Sequence, residues 1–115
     1  MAANVIKVIS KPQPWSPADA TNTIRAIAKS ECLDLILTTH AREQMAERKL
    51  IISDVLYVLK HGFVYDEAQE STRSGCFKYR TQTRSPNSGS RTVRVVALPD
   101  ADRCTIKVVT VMWVD

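Results

Sequence analysis

The chain has 115 residues and a formal charge of +4, with 44% hydrophobic and 24% charged residues. That length suits one compact domain, and the balance of apolar to charged residues excludes a wholly disordered chain. Three glycines and five prolines exclude collagen-like and low-complexity architectures, and no apolar run approaches the roughly 20 residues of a membrane helix.

Residues 4–10 alternate weakly and read as a short strand or an ordered arm, after which Pro12, Pro14 and Pro17 interrupt regular structure. Ser16-Pro17-Ala18-Asp19 is a helix start: Ser at the cap, Pro at the first helical position, Asp where the dipole favours it. Ala20, Ile24, Ile27 and Ala28 follow at helical spacing, which predicts a helix from about Pro17 to Ser30. Leu33 to Leu37 is either the end of that packing or a brief strand. Thr38-Thr39 supplies a second cap, and His40 to Lys49 reads as a short helix. Ser53-Asp54 caps a third, whose apolar face is Ile52, Val55, Leu56 and Leu59 and whose stop is Gly62.

After Gly62 the period changes. Residues 63–67, 76–81, 92–98 and 105–114 are rich in β-branched and aromatic side chains and are separated by turn-forming stretches. Short connections between them argue for an antiparallel meander. Helices first and strands afterwards predict an α+β fold, with N-terminal helices packed on one face of a sheet of four or five antiparallel strands.

Charge is unevenly placed. The net is +1 over Met1–Thr39, −2 over His40–Glu70 and +5 over Ser71–Asp115. Arg73, Lys78, Arg80, Arg84, Arg91 and Arg94 follow one another with no acid before Asp100. Such clustering is the footprint of a polyanion-binding surface, although a solvated basic face without a ligand accounts for it equally well.

On a helix through Thr39–Arg48, Ala41, Met45 and Arg48 share a face, which directs Arg48 toward the protein body. There it is either satisfied by carbonyls or a carboxylate, or it lines a cleft. His40 falls in the first turn, where the helix dipole favours the neutral imidazole that can take up a proton. It is a candidate general base, or a residue bonded into the cap. His61, beside Gly62, suits a C-capping role. In the second strand Phe77, Tyr79 and Thr81 take one face and Lys78, Arg80 and Gln82 the other, so at most one set lines a cleft. Arg94 shares a face with Val96, and Lys107 lies in the last strand with Val109 and Trp113. Basic residues on adjacent strands with a tyrosine fit RNA backbone binding, and they fit edge protection as well.

No metal site is expected from two isolated histidines and no cofactor motif is present. Cys32, Cys76 and Cys104 are odd in number and match no zinc spacing, so they read as reduced thiols, two of them filling the core. The segment Met1-Ala2-Ala3-Asn4 lacks the pattern of a secretory signal, and a cytoplasmic location is expected.

Thr39-His40-Ala41-Arg42, Met45, Glu47-Arg48, then Ser53-Asp54-Val55, Val58-Leu59 and Gly62, then Lys78-Tyr79-Arg80 and Val108-Val109-Thr110-Val111 form an ordered set of motifs. Together they resemble an uncharacterised bacterial domain family grouped with the RelE/ParE/BrnT superfamily of toxin–antitoxin proteins. The likeness runs from about Thr38 to Val114. Residues 1–32 therefore read as an added arm and helix, separable from the chemistry, and 33–115 as the toxin-type domain, within one compact unit. Lys49-Leu50 stands where relatives often carry Gly-Ile.

The resemblance implies a sheet that forms a cleft with the preceding helices. Many relatives are metal-independent endoribonucleases neutralised by an antitoxin; ParE-like members inhibit gyrase instead. The leading expectation is thus a toxin that cleaves RNA, including ribosome-bound mRNA, without cofactor or membrane. His40 would act as base or acid, Arg48 and Arg94 would stabilise the phosphate, and Tyr79 would stack or position a base. Lys78, Arg80, Arg84 and Arg91 would hold the backbone. The competing expectation is a non-catalytic binding protein, either a gyrase-type inhibitor or a regulatory partner. Convergence of His40, Arg48 and Arg94 on one point separates the two.

Overall fold

Local capping starts each helix in the structure, a computed structural model that describes residues 11–114. Ser16 Oγ accepts from the Asp19 N–H at 3.2 Å and opens α1 (Pro17–Lys29), which buries Ala20, Ile24, Ile27 and Ala28. A strand, β1 (Asp34–Leu37), comes next. Thr38 Oγ1 accepts from the Ala41 N–H at 3.1 Å and opens α2 (Thr39–Arg48), which Lys49 ends in the left-handed conformation. In α3 (Ile52–His61) the cap position is Ile51, two residues before Ser53; its N–H donates to Asp54 Oδ2 at 2.8 Å. Gly62 stops α3 at a negative φ, so its need for glycine is spatial. A Cβ there would strike Thr81 Oγ1 and the Val58 carbonyl, because the helix end is pressed against the sheet.

The strands that follow are β2 (Phe63–Val64), β3 (Gln69–Glu70), β4 (Phe77–Thr83), β5 (Val93–Asp100) and β6 (Thr105–Trp113). Pro86–Ser88 forms a single 3-10 turn between β4 and β5. The order across the sheet is β1-β6-β5-β4-β2, with β3 also on β4. The α+β class is as expected, but the purely antiparallel meander of four or five strands is not what forms. Six strands assemble, and β1 pairs parallel to β6 from Asp34↔Thr105 to Leu37↔Val108. A parallel pair needs a long crossover, and here the whole chain between Thr38 and Cys104 supplies it. The expected strand at 63–67 shrinks to two residues, and residues 4–10 lie outside the described residues.

α1 and α3 cover one face of the sheet, and α2 packs against β6 where the pairing with β1 ends. Val93, Val95, Ala97, Val108, Val111 and Tyr79 meet Ile24, Ile27, Val55, Val58 and Leu59 in a single core. Trp15, 3% exposed, joins it from the segment before α1. At about 1.5–3 kcal/mol for each large apolar side chain removed from water, α1 and Trp15 are a substantial share of this core.

In β6, Ile106 and Val108 are buried, and so is Val111, which breaks strict alternation. A register shift opposite Val96/Ala97 inserts one extra residue and reverses the faces beyond it. Two cysteines also differ from expectation. Cys32, in the turn after α1, is disulfide-bonded to Cys104, in the β5–β6 turn, while Cys76 is a free thiol. The reading of three reduced thiols is corrected for that pair: the two turns adjoin because Asp34 N–H bonds the Cys104 carbonyl at 2.9 Å. Among the described residues no helix is long and apolar enough to cross a membrane.

Candidate nucleic-acid interface

The sheet has a second face, opposite the helices. Along β5, Val93, Val95, Ala97 and Pro99 are buried, while Arg94, Val96, Leu98 and Asp100 are half-buried on that other side. Strand register extends this face into rows. Phe63, Gln82, Arg94 and Met112 lie side by side across four strands. Arg80, Val96 and Thr110 form the next row, and Leu98, Lys107 and Ile36 the one after. Lys78 continues the same side of β4, opposite Gln69. Lys78, Arg80, Arg94 and Lys107 therefore share one surface; Asp34 and Asp100 stand at its end row with Thr105, and Asp66 approaches Arg80.

These cations are only loosely held. Arg94 Nε donates to Gln82 Oε1 at 2.9 Å, which aims the guanidinium while leaving further N–H donors. Arg80 approaches Asp66 at 3.6 Å, with side chains 38% and 56% exposed, an arrangement worth little in stability. Among the described residues neither Lys78 nor Lys107 forms an ion pair. Arg80 and Arg94 are diagonal neighbours on adjacent strands, about 7–8 Å apart.

Arg84 and Arg91 belong to the rim, not to this face. Their loop is fastened to the start of α3 by Asp54, 2% exposed. Ser85 Oγ donates to Asp54 Oδ1 at 2.8 Å and Asn87 Nδ2 to Oδ2 at 3.1 Å. Burial pushes the Asp54 carboxyl up, but the hydrogen bonds from Ile51 N–H, Ser85 and Asn87 outweigh it and hold its pKa below the usual carboxylate range. Arg91 stacks its guanidinium 4.0 Å from the Trp113 ring centre.

The residues expected to be catalytic are dispersed. Tyr79, 1% exposed, lies on the core side of the sheet, away from Lys78 and Arg80. Its ring stacks on Trp15 with centroids 5.4 Å apart. Its hydroxyl accepts from the Trp15 N–H at 3.0 Å and donates to Gln13 Oε1 at 3.2 Å. Burial raises its pKa, against the opposing pull of the Trp15 hydrogen bond. His40 is exposed in the first turn of α2, with Thr38 and not His40 making the cap bond. Arg48 lies eight residues on, about 12 Å along the axis. Its side chain is half-buried, 31% exposed, and finds a carbonyl and a carboxylate: Nη1 reaches the Gln44 carbonyl at 3.4 Å and Glu47 at 3.8 Å. The inward polar residue of α2 is Gln44, 8% exposed. His61 packs its ring 4.5 Å from Tyr57.

Lys107, Gln82 and Phe63 complete the open face. Alternation marked Gln82 and grouped Lys107 with Trp113, but the β6 bulge puts those two on opposite faces. A cavity of about 250 Å³ lies elsewhere, between Gln13, Trp15, Cys76, Asp100 and Asp102, and touches none of the expected catalytic residues. Among the described residues no cluster of three or more His, Cys, Asp or Glu could hold a metal ion.

Residues 37–113, from the end of β1 through β6, match the model of a family described as "Domain of unknown function (DUF4258)". No curated protein and no solved structure matches the chain.

Proposed function

The chain belongs to the DUF4258 family, and we propose that it binds RNA by its phosphate backbone, through the open face of its sheet. The observation that carries this reading is the placement of Lys78, Arg80, Arg94 and Lys107 on one helix-free surface by the pairing of β4, β5 and β6. Backbone contacts of this kind release counterions, so affinity falls with salt in proportion to the phosphates neutralised. Four contacts to a single strand would cost about 50-fold in affinity between 50 and 200 mM salt. Fluorescence anisotropy of a labelled RNA across that range tests it. Arg94→Gln and Lys78→Gln should each weaken binding and flatten the salt dependence. An affinity indifferent to salt would defeat the proposal.

The biological setting we propose is a bacterial, cytoplasmic toxin–antitoxin pair of the RelE/ParE/BrnT kind, in which an antitoxin covers the basic face. The helix motif Thr39-His40-Ala41 through Glu47-Arg48 supports it. Expression without the neighbouring reading frame should arrest growth, and normal growth at high expression would remove this setting. A catalytic reading has one observation of its own: the His40 ring is exposed and makes no hydrogen bond among the described residues. If it serves as the base, His40→Ala should lower RNA cleavage about 10²–10⁴-fold while leaving binding intact. Growth arrest with intact RNA would favour gyrase-type inhibition.

A further inference from the structure

We infer that the RNA taken by this face is single-stranded, with its bases stacked on Phe63 and Tyr65 at the β2 edge. The inference rests on the proposed RNA reading and deepens it. Phe63 and Tyr65 are 47% and 66% exposed. Their ring centroids stand 6.2 Å apart and their planes differ by 30°, so the two rings form an adjacent, tilted pair. One face of the Phe63 ring is covered by Arg25. Arg25 Nε donates to the Gly62 carbonyl and Nη2 to the His61 carbonyl, both at 3.0 Å, and its guanidinium lies 4.5 Å from the Phe63 ring centre. A ring fixed in this way loses little side-chain entropy when a base stacks on it.

The aromatic pair borders the cations. Phe63 is directly opposite Gln82, which accepts from Arg94, and Asp66 approaches Arg80 at 3.6 Å. A phosphate chain lying over Arg80 and Arg94 therefore passes beside two solvent-exposed rings. A single strand can turn its bases onto such rings. A duplex cannot, because its bases are paired and stacked on one another and its grooves present sugar and base edges. Negative charge is required over the strands and an apolar π-face at their edge, and a single-stranded nucleic acid supplies both.

Three fluorescein-labelled probes test this on the full chain: an oligoadenylate, an abasic ribose-phosphate chain of equal length, and an RNA duplex. The oligoadenylate should bind more tightly than either of the others. Phe63→Leu and Tyr65→Leu should each weaken it about 5- to 100-fold and leave the abasic chain unchanged, whereas Arg94→Gln should weaken both alike. Leucine keeps apolar cover at these edge positions, and a thermal melt confirms folding. Equal affinity for oligoadenylate and abasic chain, duplex binding as tight as the single strand, or Leu variants without effect would overturn the inference while RNA binding stands. The last result would leave the aromatic pair to a protein partner. Failure of all three probes to bind would overturn the RNA reading and this inference with it.

Discussion

Gln44 Oε1 accepts a hydrogen bond from the backbone N–H of Val111 at 2.9 Å, so a helix side chain stands in for a missing strand neighbour. β1 pairs with β6 only as far as Val108. Beyond that point α2 takes over the edge: Thr38 N–H donates to the Val108 carbonyl at 3.1 Å, and Gln44 follows at Val111. Gln44→Met fills similar volume but leaves the Val111 N–H buried and unpaired, at a cost of about 1–3 kcal/mol. Urea unfolding of the two proteins measures it, and equal stability would show that another group satisfies that N–H.

Tyr79→Phe should cost folding and spare binding. The hydroxyl it removes joins Trp15 to Gln13, and both bonds lie on the helix side of the sheet. A loss of about 1–3 kcal/mol is expected, with RNA affinity unchanged because Lys78 and Arg80 face the other way. Weaker RNA binding by a fully folded Tyr79→Phe would mean that the core face also contacts ligand.

Asp54 makes loop 84–92 acid-sensitive. Its folded pKa is lowered, so its stabilising contribution is complete above the unfolded value of about 3.9 and is lost as pH falls through the lower folded value. Asp54→Asn should therefore be less stable than the parent at neutral pH, by about 2 kcal/mol for charge-assisted bonds. The difference should shrink below about pH 4. Unfolding at the two pH values decides it, and a gap that stays constant would contradict the sign.

The Cys32–Cys104 bond closes a sequence separation of 72 residues. Chain-entropy arguments put the loss on removing such a cross-link at about 4 kcal/mol. Cys104→Ser, or reduction with dithiothreitol, should lower the melting temperature markedly, and Cys76→Ser should not. An unaltered melt after complete reduction would show that the hydrogen bonds between the two turns hold them unaided.

The helices were legible in the sequence because capping is local. Ser16 and Thr38 bond N–H groups three residues away, and the apolar spacing of Ala20, Ile24, Ile27 and Ala28 repeats within one turn. Alternation likewise separates Tyr79 from Lys78 and Arg80. The basic face was legible as charge but not as a surface, since strand register decides which cations become neighbours. Only the tertiary structure made β1 the parallel partner of β6, displaced Lys107 from Trp113 through a bulge, and buried Tyr79 against Trp15, 64 residues away in sequence. Those outcomes depend on which distant segments compete for the same edge or core position, and the free energy of that choice resides in contacts that no short stretch of sequence contains.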